Sequence, residues 1–174
     1  MNDLQKRIFI EACKKDGFQY VVNKDFIKFT QNFPIKPAFT DEFLFATQLN
    51  CDYRSDFCFG LNNRFTALEI DGGAYEESGG GHRSITGFKI GIEKGTAYAI
   101  LGIQRINCEM KVFNKKPISL INAVKLALGF DIDAKFVFDS LYKKEREKRS
   151  VARKKKAAIK KITAAIKPLK KISG

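Results

Sequence analysis

Apolar positions recur at helical spacing in several stretches of the chain. In "DLQKRIFIEACKKDG" they fall at Leu4, Ile8 and Ala12 and stop before Gly17, which predicts an amphipathic first helix. "PISLINAVKLALG" begins with proline in its first turn and ends at Gly129, the pattern of a helix with a glycine cap. Ser84 or Thr86 can cap a helix that runs to about Leu101, although Gly91 and Gly95 weaken it. A last helix is expected to start near Asp133 and to continue into the C-terminal segment.

Shorter runs of β-branched and aromatic residues lie between these helices. "FQYVV", "FIKFT", "EFLFAT" and "IQRINC" are typical of strands. "DYRSDFCF" and "RFTALEID" are separated by "GLNN", where Asn62 and Asn63 suit a tight turn, so the two runs predict an antiparallel hairpin. The order of elements predicts an α/β fold in which a mixed sheet of about four strands carries helices on both sides.

Length and composition favour a single core. A chain of 174 residues with 44% hydrophobic content can bury one core, and we expect a domain at 1–142 followed by a tail at 143–174. No apolar stretch approaches the ~20 residues of a membrane span, and the first residues lack a signal-peptide layout, so we expect a cytoplasmic protein without a transmembrane segment. Four cysteines without a CxxC pair predict reduced, structural thiols.

Charge is concentrated in the tail. Residues 143–174 hold 14 basic and two acidic residues, a net charge of +12, whereas 1–142 hold 18 basic and 17 acidic residues, a net charge of +1. Such density indicates a polyanionic partner. Apolar residues recur at spacings of three and four within the tail, which predicts an amphipathic helix: Ile159, Ile162, Ile166, Leu169. Pro168 is expected to end or kink this helix. The helix could lie on nucleic acid, on an anionic membrane surface, on a protein partner or on the protein's own body.

Acidic residues interrupt the apolar hairpin. Glu69 and Asp71 are two apart, so a regular strand would point both to one face with their Cα atoms about 6.5 to 7 Å apart. Asp56, on the first strand of the hairpin, is expected opposite the Glu69 end of the second strand. Three converging carboxylates favour a Mg²⁺ site, for which Mn²⁺ can substitute. The alternative is that Asp56 caps a turn while the other two are solvent-facing residues of an edge strand.

The ordered motifs in residues 40–110 resemble the PD-(D/E)XK nuclease superfamily. They are "YRSDFCF", "RFTALEIDGG", "GGGHRSITGF" and "IEKGTAYAILGIQRI", and they are most similar to the branch of very-short-patch repair endonucleases, in the small form carried by bacteriophages. The resemblance implies a restriction-endonuclease-like fold. It also implies that Asp56 and Glu69 bind metal, and that Asp71 stands where the superfamily signature has lysine.

The resemblance assigns further residues. It implies that Lys94, on the following helix, supplies the positive charge of the absent signature lysine, with Glu93 beside it as a supporting residue. His82 and Arg83 match the loop positions of the family's histidine motif, and His82 is expected to act as a general base or to contact DNA. Glu42 is expected to support the metal ligands from behind.

The implied activity is Mg²⁺-dependent endonucleolytic hydrolysis of DNA in repair, recombination or phage DNA processing. The alternative is a non-catalytic nucleic-acid-binding protein on a decayed nuclease fold, which binds through its tail. In both cases we expect DNA contacts from Arg83 and from tail residues: Arg153, Lys154, Lys155, Lys156, Lys160, Lys161.

Overall fold

The structure is a computed structural model that describes residues 1–71 and 85–169, and it describes no side chains in 85–88 or 161–169. The chain divides into two compact units, Met1–Val137 and Phe138–Gly174. The boundary lies five residues before the predicted end of the first domain. The assignment of separate roles to the two parts stays a prediction.

The first unit has the predicted α/β architecture, with one mixed sheet and helices on its faces. Over the described residues the sheet has five strands in the order β1-β2-β3-β4-β5, in which β1 and β2 are parallel, β2–β3 and β3–β4 are antiparallel, and β4 and β5 are parallel. The strands are β1 Gln19–Tyr20, β2 Ala38–Leu44, β3 Arg54–Leu61, β4 Arg64–Asp71 and β5 Ile103–Glu109.

Helices account for most of the remaining described chain. They are α1 Asp3–Lys15, α2 Asn23–Asn32, α3 Ile85–Ile100, α4 Met110–Lys115, α5 Pro117–Leu128 and α6 Ala134–Leu169. The predicted helices correspond to α1, α3, α5 and α6, and the Gly129 cap of α5 has the left-handed φ of 94° that glycine permits. α6 does not end at Pro168 as expected, since the helix is described as far as Leu169.

One strand prediction is wrong. "FIKFT" lies within α2, where Phe26 and Thr30 are buried one turn apart on the side that faces the sheet. The run is rich in β-branched and aromatic residues, which favour strands, but the spacing of Phe26 and Thr30 also matches a helix. Packing of this face decided the outcome, because propensity is a weak determinant beside burial.

The buried face of α1 also differs from the prediction. Leu4 and Ile8 are 67% and 55% exposed, whereas Phe9 is 1% exposed and Cys13 is fully buried. Phe9 contacts Phe57 and Phe113, with ring centroids 4.9 and 4.7 Å apart. The helix is therefore rotated relative to the predicted apolar stripe, because aromatic burial outweighs the burial of smaller side chains.

The β3–β4 hairpin has the predicted turn. Asn62 and Asn63 have φ values of 50° and 59°, the left-handed pair that a two-residue turn of type I′ requires. The register places Phe57 opposite Leu68 and continues to Leu61 opposite Arg64. The tight turn therefore fixes which residues of the two strands face each other.

The sheet separates two apolar layers. On the side of α1 and α5, aromatic rings of β2 and β3 pack with Phe9 and Phe18. On the side of α2 and α3, the core combines side chains from the helices with smaller residues of the strands: Phe26, Ala97, Tyr98, Ala38, Cys58, Ala67. Burial on both faces explains why these strands read as nearly continuous apolar runs.

The alternation of faces breaks at one rung shared by β2 and β3. Phe57 packs in the α1 layer, while Ser55, two residues earlier, lies beside the phenol of a tyrosine on α3. In β2, Phe39 is in the α1 layer and Phe43 is in the α2 layer, although regular alternation would place both on one face. Between them Glu42 has a left-handed φ of 49°. Both strands change face together at this point.

Candidate active site

The start of β3, the end of β4 and one face of α3 bring together several of the predicted site residues. Glu69 is near the end of β4, and Lys94 and Tyr98 are one turn apart on α3. Residues four apart on a helix lie on the same face, so both side chains can reach a single strand residue. The candidate site begins with this three-residue cluster.

Glu69 is buried and fully engaged. It is 8% exposed, its Oε2 accepts from Lys94 Nζ at 2.7 Å, and its Oε1 accepts from the Tyr98 hydroxyl. A buried carboxylate is costly unless it is paired and hydrogen-bonded. The cluster meets this requirement with one cation, Lys94, and one neutral donor, Tyr98.

Tyr98 is a site residue that the sequence analysis missed. Its ring stacks on Phe45 with centroids 4.0 Å apart, and the Arg105 guanidinium carbon lies 5.7 Å from its ring centroid. Burial, together with the hydrogen bond to Glu69, raises the pKa of Tyr98 far above its ordinary value, so the phenol remains a donor. The available signal was its spacing of four from Lys94, but an aromatic residue in an apolar helix is ordinarily core.

Asp56 lies at the rung where the faces change. Its Oδ2 accepts the Ile70 backbone N–H at 2.7 Å, so it is tied to β4 one residue beyond Glu69. Burial raises the pKa of Asp56, and this effect is only partly offset by the hydrogen bond from Ile70 and by the charge of Lys94. Within the described chain its other oxygen, Oδ1, accepts no hydrogen bond.

Asp71 ends β4 and is half-buried. The parallel register places it level with Glu109 of β5, an acidic residue that the sequence analysis did not single out. Nearby charges of Asp71, Asp56 and Glu109 add to burial in raising the pKa of Cys108 to about 12, so negative charge collects at this end of the sheet. A cation at this end would relieve that repulsion.

No group of three metal-ligating side chains is close enough to hold a metal ion in residues 1–71 and 85–169. The donor chemistry nevertheless fits Mg²⁺, since the carboxylates of Asp56 and Asp71 are hard oxygen ligands. At Glu69, Oε2 is in contact with the Lys94 ammonium, which would repel a cation that approached the same oxygen. A cation site that includes Glu69 therefore favours a change of partner at Oε2.

The two predicted supporting residues have separate partners. The Glu42 carboxylate pairs with Lys6 Nζ at 3.3 Å, and its charge contributes to the raised pKa of Asp56. The Glu93 carboxylate accepts the Tyr53 hydroxyl at 2.8 Å. In this structure Glu93 therefore contacts the loop before β3.

His82 and Arg83 lie outside the described residues, as does the side chain of Lys161. The other predicted DNA-contacting residues of the tail are exposed on α6: Arg153, Lys154, Lys155, Lys156, Lys160.

Basic residues of α6 form a continuous line along one side of the helix. Successive spacings of three, four, three and four place five exposed cations within one face, which we call the basic stripe: Arg146, Arg149, Arg153, Lys156, Lys160. Arg146 pairs with Asp139 at 3.2 Å, and that arginine side chain is 58% exposed. An exposed pair of this kind is weak, so Arg146 can exchange its partner.

Comparison with known proteins finds no matching family model, curated protein or solved structure.

Over the described chain, no helix is both long and apolar enough to cross a bilayer. The four cysteines are free thiols, as predicted.

Proposed function

We propose that the protein is a Mg²⁺-dependent endonuclease that hydrolyses DNA phosphodiester bonds. The observation that supports this most strongly is the cluster at the start of β3 and the end of β4. Asp56 is hydrogen-bonded at Ile70, one residue from Glu69, and Lys94 reaches Glu69 from α3. A buried glutamate, a half-buried aspartate and a lysine in one place, in a chain that also carries a polybasic helix, are suited to an anionic substrate.

Each group has a role in this proposal. Asp56, Glu69 and Asp71 would hold Mg²⁺, which lowers the pKa of a bound water and polarises phosphate oxygens. Lys94 neutralises negative charge that develops on the phosphate in the transition state, because an ammonium is worth more in a partly buried site than in water. Tyr98 holds Glu69, and α6 binds the phosphate backbone.

Plasmid cleavage tests the proposal directly. Purified protein is incubated with supercoiled plasmid and with branched DNA, with Mg²⁺, Mn²⁺ or EDTA. We expect nicking or cutting only with a divalent cation. Asp56→Asn should abolish it while the fold persists, since an asparagine oxygen can still accept the Ile70 N–H.

Asp52→Asn is the matched control, because it makes the same change at an exposed position four residues away and should cleave normally. Equal cleavage by both variants would contradict the assignment of Asp56.

A specific observation favours the second candidate, a non-catalytic nucleic-acid-binding protein. Both oxygens of Glu69 are already bound by the protein's own donors, and the described residues hold no three-ligand group. In that case the basic stripe would bind DNA in EDTA without any need for Mg²⁺, and no cleavage would appear at any protein concentration.

A further inference from the structure

The two carboxylate oxygens of Glu69 have partners of different kinds. Oε1 accepts a neutral phenol that is fixed by stacking on Phe45, whereas Oε2 accepts the ammonium of Lys94. The ring of Tyr98 is almost fully buried, while the side chain of Lys94 is 18% exposed and has a long flexible stem. Tyr98 is therefore the fixed partner of Glu69, and Lys94 is the partner that can leave.

We propose that Tyr98 is a positioning residue that leaves Glu69 a single exchangeable oxygen, Oε2, for which Lys94 and a divalent cation compete. Occupation of Oε2 by the cation releases the Lys94 ammonium into the site, where it lies near the other acids and near any bound phosphate. The inference rests on the proposed metal site and adds to it the order of events: Lys94 becomes free only when the cation is present.

The charges around the cluster support an exchange rather than a permanent ion pair. Asp56 and Asp71 lie at the same end of the sheet, and a divalent cation there would offset more of their negative charge than the single charge of Lys94 does. A released lysine remains near these acids and near any bound phosphate. The loss of one ion pair is thus offset by new partners on both sides.

Calorimetric titration with Mg²⁺ in the absence of DNA measures the competition without using cleavage. Lys94→Met removes the competing cation, so we expect the Mg²⁺ dissociation constant to tighten at least tenfold. Lys89→Met, which removes an exposed lysine from the same helix, controls for the change of net charge and should tighten binding less than threefold. Equal tightening in the two variants would overturn the proposal.

Lysine labelling of the wild-type protein keeps the test valid even when Lys94→Met does not fold. An amine-acetylating reagent is applied at fixed pH and ionic strength, with Mg²⁺ or with K⁺ alone, and modified sites are quantified by mass spectrometry. We expect Mg²⁺ to raise the labelling of Lys94 severalfold and to leave Lys89 unchanged. Labelling of Lys94 that does not respond to Mg²⁺ would refute the exchange.

The role of Tyr98 has its own readout. In Tyr98→Phe the ring still stacks on Phe45, but both oxygens of Glu69 become open to cations, so Mg²⁺ should release much less of Lys94 to the reagent. Tyr20→Phe removes a similar phenol-to-carboxylate bond, to Asp41 at 2.7 Å, and should label like wild type. An unchanged Mg²⁺ response in Tyr98→Phe would show that Tyr98 is only structural.

These outcomes separate the inference from the proposed function. If Mg²⁺ releases Lys94 but no DNA is cleaved, the proposed nuclease function is refuted and the exchange at Glu69 is supported. If DNA is cleaved with Mg²⁺ but the labelling of Lys94 does not respond, the exchange is refuted and the nuclease function is supported.

Discussion

The basic stripe leads to a prediction about which side of α6 meets DNA. Substituting its five cations with glutamine removes five positive charges and preserves helix propensity, since glutamine is a good helix former. The matched variant removes five cations from the other sides of the same helix: Lys143, Lys144, Lys148, Lys154, Lys155. The two variants have the same net charge and differ only in where the charge is lost.

The expected magnitude follows from the geometry of the helix. Arg146 and Lys160 are 14 residues apart, which is roughly 21 Å along the axis and allows the stripe to contact several successive phosphates. Each neutralised phosphate contributes a slope of about −0.9 to log K against log salt, so five contacts contribute about −4.5. Between 0.1 and 0.3 M salt this corresponds to a roughly hundredfold loss of affinity.

Fluorescence anisotropy with a labelled duplex in EDTA measures this slope without cleavage. We expect the stripe variant to lose most of the salt dependence, whereas the matched variant keeps most of it, and circular dichroism checks that both remain helical. Identical slopes in the two variants would refute the argument, because affinity would then depend on total charge and not on one face. An unaltered slope in both would exclude α6 as the DNA-binding element.

Three further changes have defined outcomes. Tyr98→Phe should lower the free energy of unfolding by about 1.5 to 3 kcal/mol, as expected for a hydrogen bond to a charged group, while Tyr53→Phe at the exposed bond to α3 costs less; equal denaturation midpoints would contradict this. Burial opposes ionisation of Asp41, but hydrogen bonds from Lys6 and a tyrosine lower the pKa of Asp41 overall. The stability that Asp41 contributes is therefore present above the unfolded pKa of about 3.9 and is lost as pH falls through the lower folded pKa. Lys6→Met should flatten the acid unfolding curve in this range, and an unchanged curve would refute the coupling. Gly60→Ala would bring a methyl to 2.8 Å from a buried threonine methyl carbon and should lower the melting temperature, and an unchanged melting temperature would contradict the packing.

Local signals predicted much of the fold. The glycine cap of α5, the paired asparagines of the hairpin and the fold class all follow from residue types at short spacing. α2 and the rotation of α1 could not be predicted in this way, because they depend on which aromatic rings pack across the sheet. Phe26 and Phe9 were visible in the sequence, but their partners are distant along the chain.

The candidate site was predictable only in part. The spacing of the hairpin placed Asp56 near the end of β4, and in the structure Asp56 accepts the Ile70 N–H there. The role of Lys94 was implied by the family resemblance and not by spacing, and in the structure Lys94 contacts Glu69. The engagement of Glu69 by Tyr98 could not be predicted, because it depends on the height of α3 above the sheet. Strand periodicity also failed at Asp56, since it assumes an alternation that the left-handed Glu42 interrupts.

The shared change of face in β2 and β3 has a consequence for how the two strands find each other during folding. A regular pair of strands can slide by two residues and still present apolar side chains to the same layers. Here the change of face in β2 must meet the change of face in β3, opposite Asp56, and any sliding separates them. Misaligned pairings would then direct Phe39 or Phe43 to the wrong layer, so the irregularity at Glu42 selects a single alignment and keeps Asp56 beside the end of β4.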